Sequence, residues 1–527
     1  MKYSKILLVL SLFTALITDS CKKSFLNKGI PQDALTTTTF YQTPAELRMA
    51  TAFLYGQPWF DYNFPFAYEI GEVQSDNIIT YTWNSGPTAF LNFAVPSNSS
   101  DTKYGWSSLF NVIANSNTTI ININNQTPAS LGAAKTQALG EAHFMRGIAY
   151  FQLVQIFGPV PIIEDNSKVA FNPNLNANIV KDVYTFIIND LNYAVANLPL
   201  TDDPGRVTKW SAEGLLSKVY LTRAGITGTR VQSDLDSARN KALDVAANSG
   251  LNLMPNYADI FLSKNNNNPE CLFGLQWSVD PSSPYGNNDQ RQVQIEGDAS
   301  IDNVGGGGWG GYRVSADLAK LFSSSDLRRK PTFMQDGDTY PELITAPNPN
   351  GYSMTDTTSL YVKKYVIGGP LANNGANITP QHSDIPTYLL RLSDVYLVLA
   401  EATLGTNTST TDANALLYFN KVRTRAGLPA ATSLDFKTIF NERRLELAGE
   451  DQFWFDIKRW HDYNSSAALA FVLGQHRNMA SYSKGDTQYN EVLPVVTGVQ
   501  PQSWTLGYPA ADLTSDPKLL QPPVPYY

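Results

Sequence analysis

The sequence predicts a mostly α-helical protein, a repeat scaffold of paired helices carrying large loop-rich insertions and a few short strands. Three observations carry this. Apolar residues recur at spacings of three and four over several long stretches. Glycine and proline stop those stretches cleanly. Between them lie segments rich in Asn, Gly, Pro and Ser, near residues 56–105, 251–380 and 465–527.

The helical stretches follow in chain order. Thr43 and Pro44 suit an N-cap and first turn for a helix over 44–54. Residues 106–121 place Leu109, Ile113 and Ile120 on one side. Residues 131–157 form a long periodic run that ends at Gly158-Pro159. Residues 179–198 carry Val183, Phe186, Ile187, Leu191 and Ala194 at helical spacing. Residues 211–224 and 234–247 flank Gly225, and Tyr220, Gly225, Ala238 and Ala242 fall near the offsets of a tetratricopeptide unit. A second such pair spans 389–404 and 413–426, followed by a helix over 436–448. Short strand-like runs occur at 272–277 and 360–366. No clean linker separates independent domains, so residues 21–527 read as one unit.

Composition narrows the function. Of 527 residues, 43% are hydrophobic and 12% aromatic, including 27 Tyr and 9 Trp, which excludes a disordered chain. Charged residues make up only 16%, against about 25% in an average soluble protein. The net charge of −8 argues against a nucleic-acid partner, which needs a basic face. Neutral amides and aromatic rings are what a carbohydrate-facing surface needs. Amides both donate to and accept from hydroxyls, and ring faces cover the apolar side of a sugar.

The first 20 residues read as an export signal, with Lys2 and Lys5 before an apolar stretch over 6–17 that is too short to span a bilayer comfortably. Cys21 follows directly, as at a bacterial lipoprotein cleavage site, which makes it the expected lipidated residue and membrane anchor. The one other cysteine, Cys271, lies in an apolar run and reads as a buried free thiol.

No catalytic or metal constellation stands out, and no cofactor is implied. His143, His382, His461 and His476 share no metal-ligand spacing. Glu442 and Glu446 lie one helical turn apart beside Arg443 and Arg444, which reads as neutralised pairs rather than an acid–base couple. Arg391, Asp394 and Glu401 read the same way. Gly305 to Gly311 lacks the lysine of a phosphate loop.

Several motifs then converge. Cys21 precedes Phe25-Leu26-Asn27. Arg146-Gly147-Ile148-Ala149-Tyr150-Phe151 precedes Phe157-Gly158-Pro159-Val160-Pro161. Later come Arg391-Leu392-Ser393-Asp394, Ala400-Glu401-Ala402, Asn420 to Leu428, and Glu442-Arg443-Arg444 leading to Phe455-Asp456 and Arg459-Trp460. In order and spacing this set resembles the SusD/RagB family of Bacteroidetes outer-membrane lipoproteins. It departs from the family where Lys22 and Lys23 replace the usual acidic residues after the cysteine.

The resemblance implies four tetratricopeptide-like helix pairs supporting a variable loop-rich half. It also implies a lipid anchor at the outer membrane and a SusC-like TonB-dependent transporter as partner, to which the protein delivers a captured glycan. A peptide ligand is the alternative within the family, and a surface glycosidase or a pure protein-binding scaffold are alternatives outside it. The expected ligand contacts are aromatic residues of the irregular segments and the polar residues beside them: Trp309 and Tyr312 by the glycine loop, Trp83 and Asn84 after Asp76-Asn77, and Trp277 with Tyr285. Trp454 and Trp460, in the helical signature, are expected in the core.

Overall fold

A computed structural model describes residues 40–80, 85–170, 174–279, 298, 300–301, 310–366, 368, 378–379, 382–492 and 500–527. Among the described residues the helices of nine or more residues are α1 (Pro44–Ala52), α2 (Ser100–Gln126), α3 (Gly132–Phe157), α4 (Val180–Asn197), α5 (Lys209–Arg223), α6 (Gln232–Asn248), α7 (Leu392–Leu404), α8 (Ala413–Arg425), α9 (Phe436–Leu447), α10 (Phe453–Tyr463) and α11 (Ser465–Leu473).

Local chemistry sets their ends. Thr43 caps α1 in a reciprocal box with Glu46. Asp412 and Asp435 cap α8 and α9. Gly158, at φ +76, ends α3 in a conformation that suits glycine.

From α2 to α7 each helix packs on the next, and α8 and α9 pack on α7. Five residues separate α2 from α3, so the chain folds straight back. The α3–α4 seam shows the direction directly. A side chain at Gly140 would meet Leu198 at 3.2 Å, and one at Gly147 would meet Leu191 at 3.3 Å. The paired positions run in opposite senses, so the helices are antiparallel, and they lie close because Gly140 and Gly147 put no side chain into the seam. Gly147→Leu is expected to overfill this seam and cost about 1–3 kcal/mol, read as a lower midpoint in urea.

The α2–α3–α4 layer is also tied by charge. Arg146 donates to Asp190 at 2.8 and 2.7 Å and to Asn117 at 2.8 Å.

The predicted helices are present, with longer bounds for α2. The region from 465 differs from expectation, since it opens with the helix α11, whose Ala468 and Val472 are buried. The region 56–105 also holds more order than its composition suggests. It contains a 3₁₀ turn at Gln57–Trp59 and wider π-type turns at Tyr62–Phe66 and Glu69–Val73, whose aromatic and aliphatic side chains join the core. Strands are short and paired in twos, among them β1 (Ile78–Thr80) with β3 (Tyr312–Val314), β2 (Cys271–Leu275) with β6 (Thr387–Arg391), β4 (Phe333–Met334) with β5 (Tyr361–Val362), and β7 (Ala480–Ser481) with β8 (Asn490–Glu491). The run at 360–366 is therefore mostly turn, with a two-residue strand. Trp454 is fully buried and Trp460 partly so. Cys271 is a free thiol, and burial pushes its pKa up to about 12.

Candidate functional site

The loop-rich segments are held against the scaffold by buried ion pairs. Arg391 donates to Glu450 at 2.6 Å, to Glu270 at 2.5 Å and to Glu446 at 3.0 Å. Arg328 binds Glu442 at 2.7 Å and Asp326 at 2.8 Å, and Lys364 binds Glu450 at 2.8 Å. Arg328, Lys364 and Glu270 come from the 251–380 region, whereas Glu442 and Glu446 lie on α9. These contacts clip one half of the protein to the other. A second cluster joins Lys218, Arg443 and Arg459 to Asp394, Asp456 and Glu401, with each cation 2.6–2.8 Å from a carboxylate.

The charges that carry the sequence signature are thus buried and paired. Despite burial, the surrounding guanidinium groups hold Glu446 well below the usual carboxylate range. Burial opposes the shift at Glu401 too, but Arg459 and Arg230 bring it down to about 2. Both stay ionised at neutral pH, and neither is poised to donate a proton as a glycosidase acid must.

Glu72 is the opposite case. Burial, helped by Asp451, raises it to about 7, although Asn77 Nδ2 donates to it at 2.9 Å. A raised carboxylate costs stability when ionised: the cost is full above pH 7 and fades towards pH 4.5. Glu72→Gln is therefore expected to stabilise the protein at pH 8 by about 3 kcal/mol, because a carboxyl that titrates one pH unit too high costs about 1.36 kcal/mol once ionised. The gain should shrink at pH 5, and melts at the two pH values check it. Glu401 and Glu446, with depressed values, act in the other sense. Their stabilisation is full above about pH 4.5 and is lost as pH falls towards 2.

The β1–β3 ribbon sits where the two halves meet. The turn before it is pinned by its carbonyls. Ser315 Oγ donates to Asp76 O at 2.6 Å, Gln475 to Ser75 O at 2.7 Å and Arg477 to Gln74 O at 3.1 Å. Arg444 donates to Asn77 Oδ1 at 2.7 Å. Asp76 holds a left-handed φ of +69, and burial raises its carboxyl well above the usual range. Asp76 and Asn77 therefore face protein, where they fix the start of β1.

Tyr312 is buried as well. Its ring meets Tyr68 edge-on at 5.2 Å and Phe64 at 5.9 Å, and its hydroxyl donates to Glu69. Trp277 is 8% exposed and donates to Thr387 Oγ1 at 3.0 Å. As placed, these four side chains line the inside of the loop-rich half and offer no open face to a ligand. Trp83, Asn84, Tyr285, Trp309 and Cys21 lie outside the described residues.

The ribbon's register bears on two of those. Thr80 lies opposite Tyr312 in antiparallel pairing. Thr80 is three residues before Trp83 in the chain, and Tyr312 is three after Trp309. Both connections thus leave from the same end of one ribbon. Beside it lies a cavity of about 180 Å³, bordered by Asp298, Ile301, Tyr352, Asp356 and Tyr361. Arg313 stacks on the Tyr361 ring at 4.0 Å.

The structure is thus a helical-repeat scaffold with a loop-rich face clipped on by buried salt bridges. Comparison with known proteins places it more closely. A profile described as the SusD family matches residues 269–527, and one described as starch-binding associating with outer membrane matches residues 57–221. A SusD-like protein of Bacteroides ovatus is 37% identical over 99% of this chain and 98% of its own length. SusD-like protein P25 of Formosa agariphila is 25% identical over 84% of this chain and 87% of its own. A solved structure with xylogluco-oligosaccharide is 36% identical, covers 91% of this chain and 99% of its own, and superposes with a TM-score of 0.84. The chain belongs to the SusD family.

Proposed function

We infer that the protein is a non-catalytic, cell-surface glycan-binding lipoprotein. It captures an oligo- or polysaccharide and delivers it to a SusC-like TonB-dependent transporter in the outer membrane. The observation that carries the reading is the relative solved with xylogluco-oligosaccharide, 36% identical over nearly the whole chain. The pairing of Thr80 with Tyr312, which lie three residues in sequence from Trp83 and Trp309 respectively, supports the same reading. Trp83 and Trp309 supply the stacking faces, and Asn84 orients hydroxyls. Cys21 carries the lipid that keeps the protein at the membrane. The neutralised state of Glu442 and Glu446 supports a binding role without turnover.

Calorimetry of the purified protein against a panel of neutral glycans and a peptide pool tests this. Binding to at least one glycan, with no new reducing ends released, is the expected result. Binding to peptides alone overturns it in favour of a peptide-capturing member of the family. Co-purification with a SusC-like barrel from the native membrane, lost on washing of a Cys21→Ala variant, tests delivery and anchoring.

A further inference from the structure

A second cleft lies on the far side of the β4–β5 ribbon from the cavity beside β1–β3. Adjacent strand residues point to opposite faces, and here they divide two spaces. Met334 borders the cavity with Tyr352 and Tyr361. Phe333 points the other way, against Phe322 at 5.6 Å and Tyr489 at 5.9 Å, and both of those residues line the second cleft.

This cleft has a volume of about 590 Å³ and adjoins a pocket of about 290 Å³ that shares Asn256, Ala258, Lys330 and Pro331. It falls within the usual range of small-ligand sites, about 300–1,000 Å³.

Its wall is a built hairpin. β7 and β8 pair Ala480 with Glu491 and Ser481 with Asn490. The next rung is Tyr482 opposite Tyr489, whose ring centres lie 5.5 Å apart. Asp486 accepts from the Ser483 N–H at 2.9 Å and from Asn490 at 3.0 Å. Gly485, at φ +105, makes the tip. Asp336 accepts from the Lys484 N–H at 2.8 Å, which ties the hairpin to the body. The Tyr489 hydroxyl is held by Gln335 at 2.8 Å. Both rings are half-buried, so the hairpin offers a fixed aromatic surface rather than a floppy one.

The charge balance selects the ligand class. Asp326, Arg329, Lys330 and Asp486 are the charged groups of the main cleft, and they sum to zero. Asp326 is spent on Arg328, and Arg329 on Asp338 at 2.9 Å. An ionic ligand would meet little uncompensated charge, whereas rings and the amides of Asn256, Gln335 and Gln488 suit hydroxyls.

We propose that this cleft is a second binding site for a short stretch of neutral oligosaccharide, held on the Tyr482–Tyr489 pair, so that one long glycan engages the protein at two places. The proposal rests on the glycan-capture reading above. Two linked contacts raise the affinity for a polymer beyond that of either site, because the second binding event is intramolecular.

The test uses the whole purified protein, calorimetry, and both a short oligosaccharide and the parent polysaccharide of whichever glycan it binds. Tyr482→Ala is expected to lower polysaccharide affinity about tenfold while leaving the tightest short-oligosaccharide binding unchanged. In a Trp83→Ala/Trp309→Ala background a weak residual affinity should remain, lost on adding Tyr482→Ala and kept with Tyr482→Phe. Gln488→Ala and Lys330→Ala, at exposed positions that do not threaten folding, should weaken the residual binding several-fold. If Tyr482→Ala and Gln488→Ala change neither polysaccharide affinity nor residual binding, the second site is overturned while glycan capture stands. The second site is equally overturned if only peptides protect the hairpin from hydrogen exchange. If the unaltered protein binds no glycan, both readings fall.

Discussion

Replacing Arg391 with Met is expected to lower the free energy of unfolding by about 3–5 kcal/mol, a large share of the roughly 5–15 kcal/mol that holds a typical protein folded. The side chain is 1% exposed and serves Glu270, Glu446 and Glu450 at once. Met keeps the aliphatic stem but leaves three buried carboxylates short of a cation. They must then take up protons or draw in water. Urea unfolding gives the measurement, and Arg423→Ala gives the contrast. Arg423 also pairs with Glu442, but it is part-exposed, and Arg328 remains to neutralise that carboxylate. Its loss should cost under about 1 kcal/mol. Equal losses for the two variants would mean that the buried cluster has no special role in joining the halves.

The second large effect concerns binding. Trp83→Ala and Trp309→Ala together are expected to cut affinity for the captured oligosaccharide by roughly thirtyfold to several-hundredfold, with the melting temperature moved by little. A ring laid on a sugar removes apolar area from water at about 25 cal/mol per Å², so each contributes on the order of 1–2 kcal/mol, and a tenfold change in affinity is about 1.4 kcal/mol. Calorimetry reads the affinity, and a melt in parallel separates lost contact from lost fold. Unchanged affinity would remove these rings from the site and move attention to the cavity beside Tyr361.

Much of the fold was legible because helices write their pattern locally. The α3 run and its stop at Gly158, the Thr43 cap and the small residues around Gly225 all announce themselves within a few residues. The helix α11 escaped because its apolar, Ala-rich stretch follows Asn464-Ser465-Ser466 and precedes a region rich in turn formers. The turns over 57–73 escaped because their side chains are buried all round and show no period.

The site was less legible. Asn77 looks like a loop residue beside a candidate tryptophan, yet its partner Arg444 lies 367 positions away. Nothing local signals such a pairing. Tyr312 follows a glycine-rich stretch that suggests exposure, but its strand turns the ring inward against Tyr68. The family signature, by contrast, proved to be a record of packing. Arg146, Arg443 and Arg459 tie helix to helix within the array, and Arg391 locks the loop-rich face to it through Glu270.

That locking changes how the protein answers to its surroundings. Only 16% of the chain is charged, and many of those groups pair inside it, beyond the reach of dissolved ions. Surface attractions fade over about 8–10 Å at ordinary ionic strength, but pairs sealed from water are screened far less. Swings in external salt should therefore leave the two halves in register. A neutral sugar chain laid on the loop face brings no charge for salt to mask, so capture should hold equally in dilute and in briny water.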